Sequence, residues 1–188
     1  MINFYNKCEK FDKAIELFDS VPKDRVDTTS YNCVIQSYIG KGDLNRAIEI
    51  LDEMQHLNIL PNSTTMTIIL TACADSKNYE QGLRVLNIVG ESKLSSTQLM
   101  TSMINFYNKC EKFDKAIELF DSVPKDRLDT SFHNCLIQSY IGKGDLDRAF
   151  SIFNHMKEYC SIQPIIPDTT TYLVLLTGCA DRESLSKD

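Results

Sequence analysis

The chain has 188 residues, 43% of them hydrophobic, with only seven Gly and five Pro. That composition suits packed helices and excludes a disordered chain, and no apolar run approaches the roughly 18 residues of a membrane span. A net charge of −6 excludes a uniformly basic surface, so an anionic partner would have to be met by a local patch.

One stretch occurs twice. MINFYNKCEKFDKAIELFDSVPKDR fills Met1 to Arg25 and returns unchanged from Met103 to Arg127, and CVIQSYIGKGDL from Cys33 returns as CLIQSYIGKGDL from Cys135. The offset is 102 residues, but Ala14, Ala47, Gly82, Ala116 and Ala149 mark a shorter period, with gaps of 33, 35, 34 and 33. Periods of this size indicate stacked helical hairpins. The expected fold is all-α: a right-handed α-solenoid of antiparallel hairpins, about five to six repeats in a single array over 1–188.

The first unit, 1–27, is predicted to hold helices over about 1–8 and 11–19, with Phe11, Ala14, Ile15 and Phe18 as a buried stripe. Glu9, Asp12, Glu16 and Asp19 lie largely off that stripe, and Pro22 stops the chain. The second unit, 28–62, has stripes of Tyr31, Val34, Ile35 and Tyr38, then Leu44, Ala47, Ile48 and Leu51. Gly40 and Gly42 are expected to break the chain between them, with Asp43 as N-cap. The third unit, 63–96, is the most apolar, and Asn78 caps its second helix with Gln81 three residues on. The fourth, 97–129, restores the front that the first lacks. The fifth, 130–168, copies the second, with His133 in the place of Tyr31 and four extra residues around Ser161 to Ile166. The last, 169–188, repeats the front of the third and is expected to stop near Ala180. The small residue in each second helix lets a neighbouring helix approach closely.

Charge is segregated along this frame. The first helices, taken as 1–8, 28–41, 63–74, 97–109, 130–143 and 169–180, contain no Asp or Glu and carry Lys7, Lys41, Lys109 and Lys143. The chain's −6 less these four cations leaves −10 for the second helices and loops. One face is weakly basic and the other strongly acidic. The seven cysteines recur in register (Cys8 with Cys110, Cys33 with Cys135, Cys73 with Cys179) and form no CxxC; buried free thiols in a reducing compartment are expected. His56, His133 and His155 form no metalloenzyme pattern and no glycine-rich phosphate loop is present, so neither a metal, a cofactor nor catalysis is expected. Nothing at Met1 resembles a targeting peptide, because the chain opens inside a repeat. A targeting segment, if there is one, is expected outside this sequence.

Two hairpin families have this length. Tetratricopeptide repeats carry an early Trp, and the chain has none. TSYNCVIQSYIGKGDLNRAIEILDEMQHLNILPN resembles the pentatricopeptide repeat, with its Tyr-Asn start, its Ala in the second helix and its terminal Pro-Asn. TSFHNCLIQSY followed by IIPD resembles the same motif. NFYNKC with FDSVP is similar to the family's short variant and LTACADSKNYEQGLRVL to its long variant. The order short, standard, long then repeats, as in plant-type organellar members. The resemblance implies an intracellular, organellar protein, mitochondrial among the alternatives. It also implies binding of single-stranded RNA at about one base per repeat on the first-helix face, for processing or editing.

In the family the base is read by the residue after the helix aromatic together with the last residue of the motif. By resemblance these are Asn32 with Asn62 for a pyrimidine, Thr101 with Asp129 for guanine, and Asn134 with Asp168 for uracil. Asp27, and Thr67 with Ser96 in the long motif, are weaker contacts by the same resemblance, and Lys7, Lys41, Lys109 and Lys143 are candidates for phosphates. The residues by themselves leave a plainer alternative. Asn32 and Asn134 could satisfy backbone donors at helix starts, and Asp129 and Asp168 could be helix caps. The chain departs from the family where an aliphatic residue usually sandwiches the base, holding Thr29, Thr64, Gln98, Ser131 and Thr170 instead. Those polar places favour an alternative function, a helical scaffold for protein–protein interaction through the apolar long-motif surface.

Overall fold

The computed structural model describes residues 1–89, 96–158 and 165–185, and the described residues are helical with no strand. They group into two compact units, Met1–Ser102 and Met103–Asp188. The second unit begins at the residue where the verbatim copy begins.

Unit 1 contains α1 (Ile2–Lys7), α2 (Phe11–Asp19), α3 (Thr28–Gly40), α4 (Leu44–His56), α5 (Ser63–Asp75), α6 (Tyr79–Val89) and the start of α7 (Thr97–Lys109). The helix α3 packs on α1, α2, α4 and α5, so first helices line up side by side. Predicted stripe residues form the core: Ala14, Phe18, Tyr31, Val34, Ile35, Ala47, Ile48 and Leu51 are buried, and Ile69 and Leu70 of α5 are buried with them. Glu9, Asp12, Glu16 and Asp19 are exposed. Unit 2 holds the rest of α7, then α8 (Phe113–Asp121), α9 (Thr130–Gly142), α10 (Leu146–Glu158) and α11 (Thr169–Leu185). Ile137, Ala149, Phe153, Met156 and Leu175 make its core. Ala47, Ala116 and Ala149 have no exposed surface, as their spacing required.

The hairpin turns share one device. Each needs a left-handed residue, supplied by Gly42 and Gly144 at φ +79° and by Glu9, Lys77 and Glu111 at φ 51–59°. At Gly42 the following amide, Asp43 N–H, donates back to Tyr38 O at 2.9 Å, which closes the helix end. Gly40 is not a break. It is the last residue of α3, and a Cβ there would lie 2.4 Å from the Phe11 ring. Gly142 stands in the same relation to Phe113, at 2.3 Å. Both glycines exist for close approach of the preceding second helix. Asp43 and Asn78 cap as expected, accepting from Arg46 N and Gln81 N at 3.0 and 3.2 Å.

Three other expectations are corrected. The helix α11 does not stop near Ala180 but runs through Leu185. Arg182 and Glu183, both good helix formers, stand where α5 is followed by Ser76 and the left-handed Lys77. The aromatic core position also moves. Tyr31 is buried and its hydroxyl donates to Glu53 Oε1 (3.1 Å), which Lys23 also meets. Loss of water around the ring, then the Glu53 charge, push the phenol up to about 12. In unit 2 the buried ring is Phe132, one residue earlier, while His133 is half-buried against Phe120. His155 replaces Glu53 in the copy, so a buried hydroxyl there would lose its carboxylate acceptor, whereas Phe needs none. Of the cysteines, Cys33 and Cys73 are buried but Cys8 is exposed. The inserted stretch lies mostly outside the described residues; Ile165 beyond it packs against the unit 2 core.

Replacing Ala47 by Glu places an unpaired charge in the contact between α4 and its neighbours. A loss of about 3–5 kcal/mol is expected, seen as a much lower melting temperature than the parent's. A melt matching the parent's would remove Ala47 from the helix contact.

Candidate nucleic-acid interface

The first residues of each first helix carry the candidate site, and the chain direction explains why. A helix begins with amides that lack intrahelical acceptors. Asp27, Asn62, Asp129 and Asp168 occupy the positions just before α3, α5, α9 and α11, and each accepts an amide from three residues on. The donors are Ser30 N (2.8 Å), Thr65 N (2.9 Å), Phe132 N (3.0 Å) and Thr171 N (2.9 Å). The plainer alternative therefore holds for Asp129 and Asp168, and Asp27 and Asn62 prove to be helix caps too, a role worth about 1 kcal/mol each.

It does not hold for the asparagines. Asn32 lies 30 residues before Asn62, yet its Nδ2 donates to Asn62 Oδ1 at 3.4 Å. Asn134 Nδ2 donates likewise to Asp168 Oδ1 at 3.1 Å across 34 residues. Each asparagine also accepts, through Oδ1, the hydroxyl of Thr65 or Thr171 at 2.6 Å. Two of the three sequence-paired sets thus meet, one within each unit, with the same atoms in the same roles. Thr101 belongs to unit 1 and Asp129 to unit 2. Within its own helix the Thr101 hydroxyl donates to Thr97 O at 3.0 Å, so its oxygen is left as an acceptor.

The cap geometry sets what each pair presents outward. Asn62 uses Oδ1 for the cap, which leaves its Nδ2 donors. Asp168 uses Oδ1 for the cap and keeps Oδ2 as an acceptor. The backbone amide of Thr171 first, then the side chains of Asn134 and Thr171, hold the Asp168 carboxyl below its ordinary value. The Ser30 side chain and amide do the same for Asp27. Asn32 and Asn134 are almost covered, and Asn62 and Asp168 are exposed.

The weaker candidates are placed differently. Thr67 Oγ1 is shut off from solvent with no partner among the described residues. Ser96 Oγ makes a long contact of 3.5 Å with Leu99 N. Lys7 is exposed and Lys109 half-buried. Lys41 and Lys143 pair with Asp12 and Asp114 of the preceding second helices, and such exposed pairs yield readily to competing anions. Thr29, Thr64, Gln98, Ser131 and Thr170 are all exposed.

Sequence reasoning missed Thr65 and Thr171. The available signal was a polar residue three places after a capping Asn or Asp, the spacing of a reciprocal capping box. Both boxes close, with Asn62 N and Asp168 N donating back to the threonine oxygens at 3.2 and 3.0 Å. A second seam also went unread. Asn6 donates to Cys33 O and accepts from Ser37, and Asn108 repeats this with Cys135 and Ser139, all at 2.7–2.8 Å.

Hairpins stacked by their first helices, with capping residues tied to the preceding hairpin, define a helical-repeat protein. The PPR repeat family profile matches residues 26–75 and 128–181, and the PPR repeat profile matches 1–26 and 99–128. The chain belongs to the pentatricopeptide repeat family. A pentatricopeptide repeat-containing protein of Arabidopsis thaliana is 29% identical over 180 residues, covering 95% of this chain and 25% of its own length. A chloroplastic one from the same plant is 29% identical over 184 residues, covering 96% and 24%, and a mitochondrial one 26% over 186 residues, covering 98% and 17%. The chain spans about a quarter or less of the length of these relatives. Among solved structures, the pentatricopeptide repeat protein PPR10 in complex with an 18-nucleotide RNA element superposes with a TM-score of 0.76. It is 18% identical, over 98% of this chain and 27% of that one. The nuclear proteinaceous RNase P 2 of A. thaliana gives a TM-score of 0.67 at 14% identity, over 94% of this chain and 40% of that one.

Because the folded-state carboxyl of Asp168 lies below its unfolded value, its stabilisation is complete above about pH 4 and is lost as pH falls through the folded value. Replacing Asp168 by Asn, which keeps the cap acceptor, is expected to flatten the acid limb of a plot of melting temperature against pH. An unchanged acid limb would show that the carboxylate does not hold the cap.

Proposed function

We propose that the chain binds single-stranded RNA, reading bases with Asn32/Asn62, Thr101/Asp129 and Asn134/Asp168 in the service of organellar transcript processing or editing. The observation that carries this is the meeting of Asn32 with Asn62 and of Asn134 with Asp168. Two residues far apart in sequence converge on one hydrogen-bonding edge, twice. The chloroplastic and mitochondrial relatives support the organellar setting, and the RNA-bound likeness of PPR10 supports the ligand.

The chemistry of each pair follows from its free atoms. Asn134 offers an outward N–H and Asp168 an acceptor, which match a uracil carbonyl and its N3–H. Asn32 and Asn62 both offer N–H, which fits a pyrimidine with adjacent acceptors, cytosine above uracil. Thr101 and Asp129, an acceptor and a carboxylate, suit the N1–H and N2–H of guanine. The long motif, with Thr67 covered, takes any base. With the N-terminal repeats toward the 5′ side, the site reads 5′-pyrimidine-N-G-U-3′ in single-stranded form, since the base edges must be free. Asp27 adds a preference for G or U just upstream. Phosphates are met by few cations (Lys7, Lys41, Lys109 and Lys143), so binding is weak and its salt dependence is shallow, since the slope scales with the number of phosphate contacts.

Exchanging Asp168 for Asn makes the last pair equal to the first. In a binding assay at low salt, two RNAs differing only at the final base should then exchange rank. The uracil preference is expected to fall about tenfold and to turn toward cytosine, with phosphate contacts unaltered. Equal binding of both RNAs by both proteins would remove the base-reading assignment. The exposed Tyr172, Leu173 and Leu176 of α11 favour a second reading, a scaffold for a protein partner, and a chain that binds no RNA would turn the account that way.

A further inference from the structure

An asparagine amide carries a donor and an acceptor of nearly equal shape, and a base edge distinguishes them. Base reading by Asn32 or Asn134 therefore requires that the amide be held one way round. Thr65 and Thr171, which have no exposed surface, are placed to do this. The Thr171 oxygen accepts from Asp168 N–H at 3.0 Å, and of the two acceptors within reach of its proton Asn134 Oδ1 at 2.6 Å is nearer than Asp168 Oδ1 at 3.0 Å. Thr65 does the same, accepting from Asn62 N–H at 3.2 Å, with Asn32 Oδ1 at 2.6 Å nearer to its proton than Asn62 Oδ1 at 3.1 Å. Turning the Asn134 amide round would set its oxygen against an Asp168 carboxylate oxygen at the 3.1 Å now spanned by the hydrogen bond. In unit 1 it would face the Asn62 oxygen, which is fixed by its cap bond to Thr65 N.

We propose that Thr65 and Thr171 are positioning residues for base reading, whose hydroxyls lock the Asn32 and Asn134 amides with Nδ2 outward. The inference rests on the RNA-reading function proposed above. It means that the base taken by one repeat is fixed partly by the first turn of the next. The lock is not universal in the chain. The cap before α9, Asp129, is followed three residues on by Phe132, which has no hydroxyl, so the pair ending at Asp129 reads without one. Thr101, with its own proton engaged inside its helix, has no amide to orient.

Without the Thr171 hydroxyl only the bond to Asp168 Oδ1 opposes reversal of the amide, and reversal changes the preferred base in a definite direction. A reversed Asn134 would place an acceptor beside the Asp168 acceptor, and guanine offers two donors, N1–H and N2–H, to such an edge. The test uses the whole chain with Thr171→Val and Thr171→Ser, and two RNAs differing only in uracil or guanine at the final base. Thermal melts of each variant confirm folding. Thr171→Val is expected to lower the uracil-over-guanine ratio about tenfold, while Thr171→Ser, which keeps the hydroxyl, retains the parent's ratio. Loss of affinity for both RNAs alike, with the ratio intact, would mean that Thr171 only caps its helix and would overturn the proposal. A parent that does not distinguish uracil from guanine would overturn the reading function as well, and that outcome is visible before any variant is made. If Thr171→Val does not fold, Thr65→Val gives the same test at the first base. There a reversed Asn32 beside the Asn62 donor matches adenine, so the pyrimidine-over-adenine ratio should fall; an unchanged ratio would overturn the proposal.

Discussion

The structure of each unit depends on the bond that ties the start of one first helix, α5 or α11, to the hairpin before it. Asn62 and Asp168 close the open amides of α5 and α11, and with the same oxygen they accept from Asn32 and Asn134 of the preceding first helix. A cap is a local necessity of any helix. Here it also fixes the register between neighbouring repeats, because the asparagine meets it in one place only. The side chains that hold two hairpins together through Oδ1, Asn62 and Asp168, are exposed and keep their other polar atom unused. Stacked repeats meet only their neighbours, and here the joint recurs once in each unit, so a repeating array carries a repeating recognition edge.

The duplication works as an internal control on these arguments. Identical sequence gives identical local structure: Phe11 on Gly40 and Phe113 on Gly142, Asn6 with Ser37 and Asn108 with Ser139. Where the copies diverge, the divergence is coupled. Tyr31 with Glu53 becomes His133 with His155, and the buried ring moves to Phe132. A buried hydroxyl with a carboxylate has been exchanged for a ring that needs no partner, and the site residue that follows, Asn134, keeps its place.

Much of the fold could be read from the sequence because its determinants are local. Helix stripes, the small residues of the second helices, and the caps at Asp43 and Asn78 follow from periodicity and propensity alone. What could not be read depends on partners distant in sequence. Gly40 looks like a break until Phe11 is placed beside it, and the helix extension past Ala180 reflects Arg182 and Glu183 in place of a turn. The site divides in the same way. The positions of Asn32, Asn62, Asn134 and Asp168 came from resemblance, and the capping role of Asp168 from residue type. That one oxygen serves both the cap and the neighbouring asparagine, with a buried threonine between them, is a fact of three-dimensional geometry.

The central claim is that these joints are also base-reading edges. The most direct measurement is selection of RNA by the whole chain from a pool randomised over a short window, at low salt, followed by sequencing of the bound fraction. The account predicts enrichment of a pyrimidine, an unconstrained base, guanine and uracil in 5′ to 3′ order. A bound pool with the same base composition as the input at every position would contradict it.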